Sequence, residues 1–289
     1  MTRSSNGPLP EHQIIEKIDE IPPLPTSALQ LVELIEDPSA TPLALARLIE
    51  QDVALAARVL HLANSAFYGV AGGVDSLERA VCFLGFTTIQ QIALYFHSRQ
   101  ILDEAGARPP APLWHHAHRV AKASRTLAAR LGLPMTGRFF TAGLLHDLGR
   151  VALFVLFPEH AGAWRPASRS PLERLVEEHA LFGMDHQQAA LHLAQRWRYP
   201  SPLAQVISGL HASPGTGPTV SPEEDAMRLV VAFSDGCAHA TNEQEIPGVA
   251  VGPERSWLHG LGLPEDQLDA LQDLVQRELS ADEQEEGND

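Results

Sequence analysis

The sequence Gly143-Leu144-Leu145-His146-Asp147-Leu148-Gly149-Arg150 places a histidine and a carboxylate inside a segment that is otherwise almost wholly apolar. From Phe139 to Phe157, the other side chains that are not apolar are Thr141 and Arg150. An apolar pattern on all faces predicts a buried helix. Burying an imidazole and a carboxylate is costly unless they pair with each other or bind a cation. Metal coordination is therefore the first explanation that we consider for His146 and Asp147.

Length and cysteine content bound the class of protein. The 289 residues suffice for one large or two modest domains with a sizeable core. Cys82 and Cys237 form no disulfide framework, and both lie in apolar helical patterns that predict buried thiols. The N-terminal residues lack the apolar core of a signal peptide, and no stretch approaches the roughly 18 consecutive apolar residues of a membrane helix. We therefore expect a cytoplasmic protein of a reducing compartment.

The charge of the chain argues against two classes of partner. The 36 acidic and 21 basic residues give a formal net charge of −15, and the lysines and arginines form no cluster. Nucleic acids and anionic membranes attract basic surfaces, so we expect neither as a partner. Part of the acidic excess lies in residues 281–286, whose composition predicts a disordered tail.

The spacing of apolar residues predicts an all-α protein, since no useful stretch alternates as a strand does. Three helices have clear start signals at Thr41, Asp52 and Ser76, and Gly85 is a typical stop for the helix that follows Ser76. Further helices are predicted after a cap at Thr26 or Ser27 and at about 88–102, 113–131, 138–157, 171–181, 184–197, 202–212, 222–241 and 264–279.

A proline-rich segment from Glu104 to Pro112 is typical of a linker. On this basis we divide the chain into four parts. These are an N-terminal extension (1–20), an N-terminal helical subdomain (21–105), a second helical subdomain (106–245) and a C-terminal helix with its acidic tail (246–289).

Helical phase singles out His116 among the 14 histidines. It shares an apolar face with Leu113 and Val120, whereas His115 and His118 point to the other side. Taken alone, His116 is compatible with a core histidine that is hydrogen-bonded to a carbonyl. Two adjacent buried helices would, however, present it to the His146–Asp147 pair, which makes it a candidate ligand.

Two further histidines behave similarly, and one aspartate is ambiguous. His186 lies on the inward face of its predicted helix, and His211 lies at the edge of the apolar face of the next helix. Both are compatible with satisfied core histidines as well as with ligands. Asp235 lies in another largely apolar segment, but its phase does not place it inward.

Several short motifs follow one another in a characteristic order from about Ile21 to His239. The N-terminal ones are Ile21-Pro22-Pro23-Leu24-Pro25, Ile49-Glu50-Gln51-Asp52, Leu60-His61-Leu62-Ala63-Asn64-Ser65-Ala66 and Ser76-Leu77-Glu78-Arg79-Ala80. The C-terminal ones are Leu113-Trp114-His115-His116, Ala142-Gly143-Leu144-Leu145-His146-Asp147-Leu148-Gly149, Phe182-Gly183-Met184-Asp185-His186 and Trp197-Arg198-Tyr199-Pro200. Together they resemble the HDOD family, the HD-related output domains of bacterial signalling.

This resemblance implies an N-terminal helical bundle joined to a C-terminal bundle similar to the HD and HD-GYP phosphohydrolases. In those enzymes a histidine, the His-Asp pair and a late aspartate bind one metal ion, and additional histidines bind a second. The matching positions here are His116, His146, Asp147 and Asp235 for the first ion, with His186 and His211 for the second.

The chain departs from the pattern of the active enzymes. Leu210 stands where a further histidine ligand is expected, Arg150 replaces a lysine, and the Gly-Tyr-Pro signature is absent. Imidazole and carboxylate ligands suit iron, zinc, manganese or nickel. We expect a single such ion, if any, with the two-metal site compromised. If the site were catalytic, Asp147 and Arg150 would be the residues involved.

Three functions remain open at this point. The favoured one is a regulatory module that binds a signalling protein: a sensor kinase, a response regulator or a cyclic-dinucleotide enzyme. We expect such a partner to supply the input, because no receiver or sensor domain is recognisable. The second is a metal-dependent phosphohydrolase acting on a nucleotide or a cyclic dinucleotide. The third is a non-catalytic ligand sensor.

Overall fold

The computed structural model describes residues 8–37, 39–64, 73–105, 111–160, 171–211, 221–241 and 263–286. Within these residues the regular structure is helical, without a β-strand, which confirms the all-α prediction. A short 3-10 helix spans Pro158–His160. The α-helices, numbered in chain order, are α1 (Glu11–Glu20), α2 (Thr26–Glu36), α3 (Pro42–Ile49), α4 (Val53–Ala63), α5 (Leu77–Leu84), α6 (Phe86–Glu104), α7 (Ala111–Arg130), α8 (Thr136–Leu145), α9 (Leu148–Leu156), α10 (Pro171–Phe182), α11 (His186–Arg196), α12 (Ser201–Ser208), α13 (Pro222–Thr241) and α14 (Glu265–Glu286).

The chain divides into two compact units. Residues 22–101 form the first, with α2–α5 and most of α6, and the second contains α1 and α7–α14. The domain boundaries that the sequence analysis draws at 20/21, 105/106 and 245/246 stay predictions. α1, which falls within the predicted N-terminal extension, packs on α9 and α11. Arg196 of α11 donates two hydrogen bonds to the backbone oxygen of Ile21, at 3.1 and 3.0 Å.

Side-chain caps start three helices of the first unit where the sequence predicts them. Each accepting oxygen satisfies a backbone N–H of the first turn that has no partner inside the helix. The Gly85 stop of α5 is also confirmed, with φ at 78°. The capping pairs are Thr41 Oγ1 with Ala44 N (3.2 Å), Asp52 Oδ1 with Leu55 N (2.9 Å) and Ser76 Oγ with Arg79 N (3.3 Å).

An aliphatic core holds the first unit together. Burying one such side chain contributes about 1.5–3 kcal/mol. The candidate site residues all lie in the second unit, so this core is not part of the candidate site. Members of the core include Leu31, Leu45, Ile49, Leu55, Val59 and Ile89.

In the second unit, α7, α8 and α13 pack on one another and α11 packs on α9. Two glycines allow these helices to approach closely. A Cβ atom at Gly143 would lie 2.8 Å from the Cα of Ala121 in α7, and one at Gly149 would collide with the backbone oxygen of His186 in α11. Since only glycine lacks this atom, the pair sets the spacing of α7 and α11 around His146–Asp147.

The prediction of one continuous helix from Arg138 to Phe157 is wrong at its centre. α8 ends at Leu145 and α9 begins at Leu148. His146 keeps helical dihedral angles (φ −57°, ψ −36°), but Asp147 does not (φ −98°, ψ 15°). Adjacent residues of a continuous helix point about 100° apart. The break at Asp147 lets both side chains face one cluster.

The two cysteines differ in their surroundings. Cys237 is buried, as predicted, but Cys82 is exposed, contrary to the prediction. The buried face of α5 is formed by Ala80, Val81 and Leu84, so the position of Cys82 falls on the opposite side of that helix.

Three predicted helix ends are also corrected. Thr26 is the first residue of α2 and not its cap, because Pro25 holds the cap position and no side chain caps this helix. α12 ends at Ser208, so that His211 lies in the turn beyond it. Residues 281–286, predicted to be disordered, continue α14.

Among the described residues, one segment reaches the length and hydropathy of a membrane span, although no run of consecutive apolar residues indicated it. This segment, Thr136–Leu156, contains α8 and α9, and 83% of its apolar 18-residue window is buried inside the protein. The pair α5–α6 meets the same criteria only when its two helices are taken together, and they are bent by 107°. Core helices of soluble proteins have the same properties, and the burial of Thr136–Leu156 is that of a core helix.

Candidate metal centre

Two histidines and an aspartate form a buried cluster in the second unit. His116 lies on α7, His146 follows the end of α8, and Asp147 precedes α9. Each offers one ligand-type atom, and these atoms lie within 4.8 Å of one another. All three side chains are buried. The cluster therefore combines the residue types and the spacing that a transition metal requires.

Asp235 on α13 extends this cluster. Its Oδ1 lies 2.9 Å from Nε2 of His116 and 3.5 Å from Nε2 of His146. Asp147 Oδ2 lies 3.9 Å from Nε2 of His116 and 3.6 Å from Nε2 of His146. A tetrahedral ion with bonds of about 2.0–2.2 Å holds its ligand atoms roughly 3.3–3.6 Å apart. Small adjustments of these side chains would suffice to accommodate such an ion.

Helical phase alone does not place Asp235 inward, yet the structure buries it, with 1% exposed. The reason is the environment of α13, which packs on α7, α8, α12 and α14. A helix with neighbours on several sides has more than one inward face. For this helix, the spacing of apolar residues therefore does not predict which side chains are buried.

The hydrogen bonding of His146 fits a metal ligand. Nδ1 of His146 donates to the backbone oxygen of Gly143 at 2.7 Å, which fixes the orientation of the ring. Nε2 of His146 and Oδ1 of Asp147 are buried and have no hydrogen-bond partner. A histidine ligand typically donates its other ring N–H to a carbonyl or carboxylate, as His146 does. His146 and Asp147 therefore have the orientation and the available buried atoms that ligands of a cation need.

Charges around the cluster favour an ionised Asp147. Burial alone would raise the pKa of Asp147, but Arg150 and the surrounding imidazoles hold it well below its usual range. Arg150 donates from Nη1 to Asp147 Oδ2 at 3.0 Å. Burial lowers the pKa of His116, against the opposing effect of Asp235. His116 is thus favoured in the neutral form that metal binding requires. Burial would also lower the pKa of His146, but Asp147 and Asp235 raise it, so an ion that binds His146 competes with a proton.

His186 and His211, the candidate ligands of a second ion, lie near each other in the same unit. Their ring centroids are 5.3 Å apart in an edge-to-face arrangement. Burial, together with His186, lowers the pKa of His211 well below its usual range. Leu210, which precedes His211 in the sequence, is fully buried. This region therefore has two neighbouring imidazoles and an aliphatic side chain.

Sequence reasoning missed a buried carboxylate in this region. Glu178 on α10 is 2% exposed, and its Oε2 accepts hydrogen bonds from Nδ1 and from the backbone N–H of His186. Its Oε1 lies 3.3 Å from Nε of Arg150. The signal lay in spacing, because Arg174, Glu178 and Phe182 recur every four residues and all are buried. Two charged residues in phase with a buried phenylalanine mark an inward polar face.

Comparisons with known proteins agree with this fold. The HDOD domain model matches residues 21–213, more than half of the 289 residues. The chain therefore belongs to the HDOD family. An uncharacterised protein of Treponema pallidum (strain Nichols) is 28% identical over 242 residues, which cover 81% of this chain and 46% of the relative. The chain thus spans about half the length of the curated relative that it matches.

Solved structures share the architecture. A Marinobacter aquaeolei VT8 protein, provisionally assigned to signal transduction, has a TM-score of 0.67 at 26% identity, over 93% of this chain and 63% of that one. A Shewanella amazonensis SB2B protein, provisionally assigned as a metal-dependent phosphohydrolase, has a TM-score of 0.55 at 21% identity, over 93% and 99%. At 21% identity the second likeness shows the fold alone.

Proposed function

We propose that this HDOD protein is a cytoplasmic regulatory module of bacterial signalling that acts by binding a partner protein. Under this proposal it holds one transition-metal ion at His116, His146, Asp147 and Asp235, and the ion has a structural role. The partner is a sensor kinase, a response regulator or a cyclic-dinucleotide enzyme. The net charge of −15 disfavours nucleic acids and anionic membranes as partners.

The buried Leu210 carries this proposal. A two-metal hydrolytic mechanism needs ligands for both ions, which clamp the attacking and leaving oxygens. By resemblance to the active enzymes, one ligand position of the second ion falls on Leu210, whose aliphatic side chain is fully buried. Arg150 also contacts Asp147 Oδ2 at 3.0 Å, so a fixed cation already neutralises charge on that side. These residues are compatible with one bound ion, but they form an incomplete ligand set for a second.

The chemistry of the ligand set narrows the choice of ion to a few transition metals. Two imidazoles and two carboxylates suit iron, zinc, manganese or nickel. A bound ion of this kind would supply a Lewis acid that polarises an oxygen and lowers the pKa of a coordinated water. The protein's own contribution is to hold His146 through Gly143 and to keep Asp147 ionised through Arg150.

The alternative is a metal-dependent phosphohydrolase acting on a nucleotide or a cyclic dinucleotide. The convergence of His116, His146, Asp147 and Asp235 favours it, as does the provisional assignment of the Shewanella protein that shares the fold. In this case Asp147 and Arg150 would take part in catalysis.

Elemental analysis and a turnover assay, both on untagged protein, separate the two. For the regulatory module we expect about one equivalent of a transition metal in the wild type and none in His146→Ala. We also expect no hydrolysis of nucleotides or cyclic dinucleotides above the level of an Asp147→Ala variant. Metal-dependent turnover that Asp147→Ala abolishes would establish the hydrolase instead. Wild-type protein without metal would refute the metal centre.

A further inference from the structure

Glu178 hydrogen-bonds through one carboxylate oxygen and forms an ion pair through the other. Oε2 accepts from Nδ1 and from the backbone N–H of His186 (the latter at 3.0 Å), and Oε1 lies 3.3 Å from Nε of Arg150. Nη1 of Arg150 in turn reaches Asp147 Oδ2 at 3.0 Å. One continuous chain of contacts therefore joins His186 to Asp147 through two charged side chains, each at most 4% exposed.

Packing alone does not account for a carboxylate at this place. An ionised group buried without partners is strongly destabilising, and even a paired buried ion often contributes less than an apolar side chain of similar size. Glu178 nevertheless stands on the inward face of α10, where it contacts His186 and Arg150. Since Arg150 in turn contacts Asp147 of the cluster, these contacts indicate a role in arranging the side chains beside it.

The first consequence concerns the ring of His186. A carboxylate only accepts hydrogen bonds, so Nδ1 of His186 must carry the hydrogen. In the neutral ring the electron pair then resides on Nε2, which is buried and has no hydrogen-bond partner. Without Glu178, either tautomer would be open to the ring. Glu178 thus selects the tautomer in which Nε2 of His186 carries an electron pair and does not donate a hydrogen.

The second consequence concerns Arg150. Its guanidinium is shared between Glu178 and Asp147. Without Glu178, the guanidinium would lose one of its carboxylate contacts, pair more closely with Asp147 and compete with a metal ion for Oδ2 of that residue. Sharing the guanidinium therefore leaves Oδ2 of Asp147 only partly engaged by Arg150.

We propose that Glu178 is a positioning residue of the centre: it fixes the Nδ1–H tautomer of His186 and shares Arg150 with Asp147. The part of this proposal that concerns metal affinity rests on the proposed metal centre. The part that concerns the tautomer stands on the metal-free protein.

Long-range ¹H–¹⁵N correlation spectra of the metal-free protein test the tautomer directly. In the wild type we expect His186 to show hydrogen on Nδ1 and an unprotonated Nε2. Glu178→Ala should shift these nitrogens toward a mixture of tautomers, and Glu178→Gln should restore the wild-type pattern because its amide oxygen also accepts. The neighbouring exposed Glu177 supplies the control Glu177→Gln, which should change nothing. A wild-type His186 protonated on Nε2 in its neutral form would overturn the proposal.

Titration with Co²⁺ tests the contribution to metal affinity. Loss of a group that orients ligands typically weakens binding by about 10–100-fold, and we expect this for Glu178→Ala. Glu178→Gln keeps an oxygen that accepts the hydrogen bond from His186 but removes the negative charge that faces Arg150. We expect it to weaken Co²⁺ binding by about tenfold. If Glu178→Ala fails to fold, the Co²⁺ affinity of Glu178→Gln tests the contribution of Glu178 by itself. Co²⁺ affinity that Glu178→Gln leaves unchanged overturns the Arg150 part. Absence of Co²⁺ binding in the wild type refutes the metal centre, while the spectra still decide the tautomer.

Discussion

His116 and Asp235 are 119 residues apart in the sequence, yet their Nε2 and Oδ1 atoms lie 2.9 Å apart in the interior of the second unit. The contact ties α7 to α13 across the candidate metal centre. Both groups are buried, so each depends on the other for compensation of its desolvation. Several measurable consequences rest on this pair and on the contacts around it.

Asp235→Asn should weaken metal binding while preserving the shape of the site. The amide has the size of the carboxylate but lacks its charge, so we expect metal affinity to fall by at least about tenfold. Isothermal titration with Zn²⁺ or Co²⁺ measures this. The matched control on the same helix is Glu223→Gln, which removes an exposed ion pair with Arg138 and should change affinity by less than twofold. Equal affinity of Asp235→Asn and wild type would exclude Asp235 as a ligand.

Gly149→Ala should destabilise the second unit strongly. The new methyl group would collide with the backbone oxygen of His186, and a backbone atom cannot move aside as a side chain does. We expect a loss of about 3 kcal/mol in the free energy of unfolding, measured with urea. Gly132→Ala is the comparison, because a Cβ there meets nothing within 4 Å and is strained only by its φ of 69°. Its expected cost is about 1–2 kcal/mol. A smaller effect at Gly149 than at Gly132 would contradict the close crossing of α9 and α11.

Asn64→Ala should destabilise the first unit. Asn64 follows the end of α4, and its side chain accepts from the backbone N–H of Val74 at 2.7 Å and donates to the Val74 oxygen at 2.8 Å. Losing both bonds should cost about 1–2 kcal/mol in urea unfolding. Asn64→Asp keeps the oxygen that accepts but loses the N–H that donates. Its free energy of unfolding should lie between those of the wild type and Asn64→Ala. No change in either variant would show that this clamp contributes nothing to stability.

The stability of the first unit should depend on the protonation of His97. Burial lowers the pKa of His97 below its ordinary value of 6.5, although Asp52 opposes this shift. Because the unfolded chain then binds protons more readily than the folded one, stability is complete above about pH 6.5 and falls as the pH drops below that value. Urea unfolding at pH 7.5 and 5.5 measures the difference, which His97→Gln should reduce. An equal pH dependence in His97→Gln would assign the effect to other groups.

Local sequence signals predicted the helices of this protein well. Thr41, Asp52 and Ser76 were recognisable as caps because their roles depend on residues at most three positions away. The inward position of His116 followed from the phase of an amphipathic helix. Such features need no knowledge of which helices are neighbours.

The features that the sequence did not predict depend on tertiary contacts. The inward position of Asp235 follows from the helices packed around α13, and the break at Asp147 divides a segment whose apolar pattern is continuous. Glu178 was missed because its partners, His186 and Arg150, lie on other helices. Charged residues on a buried face become interpretable only when the opposing face is known.

The ligand-type atoms of the centre come from α7, the α8–α9 break and α13, and Gly143 brings two of these elements into contact. No short peptide of this chain could reproduce the arrangement. An ion that binds there would therefore select molecules whose helices have all docked, and its binding energy would be added to the free energy of folding. The centre would then report on the completeness of folding: occupancy would distinguish a finished molecule from one in which α13 has not yet reached His116.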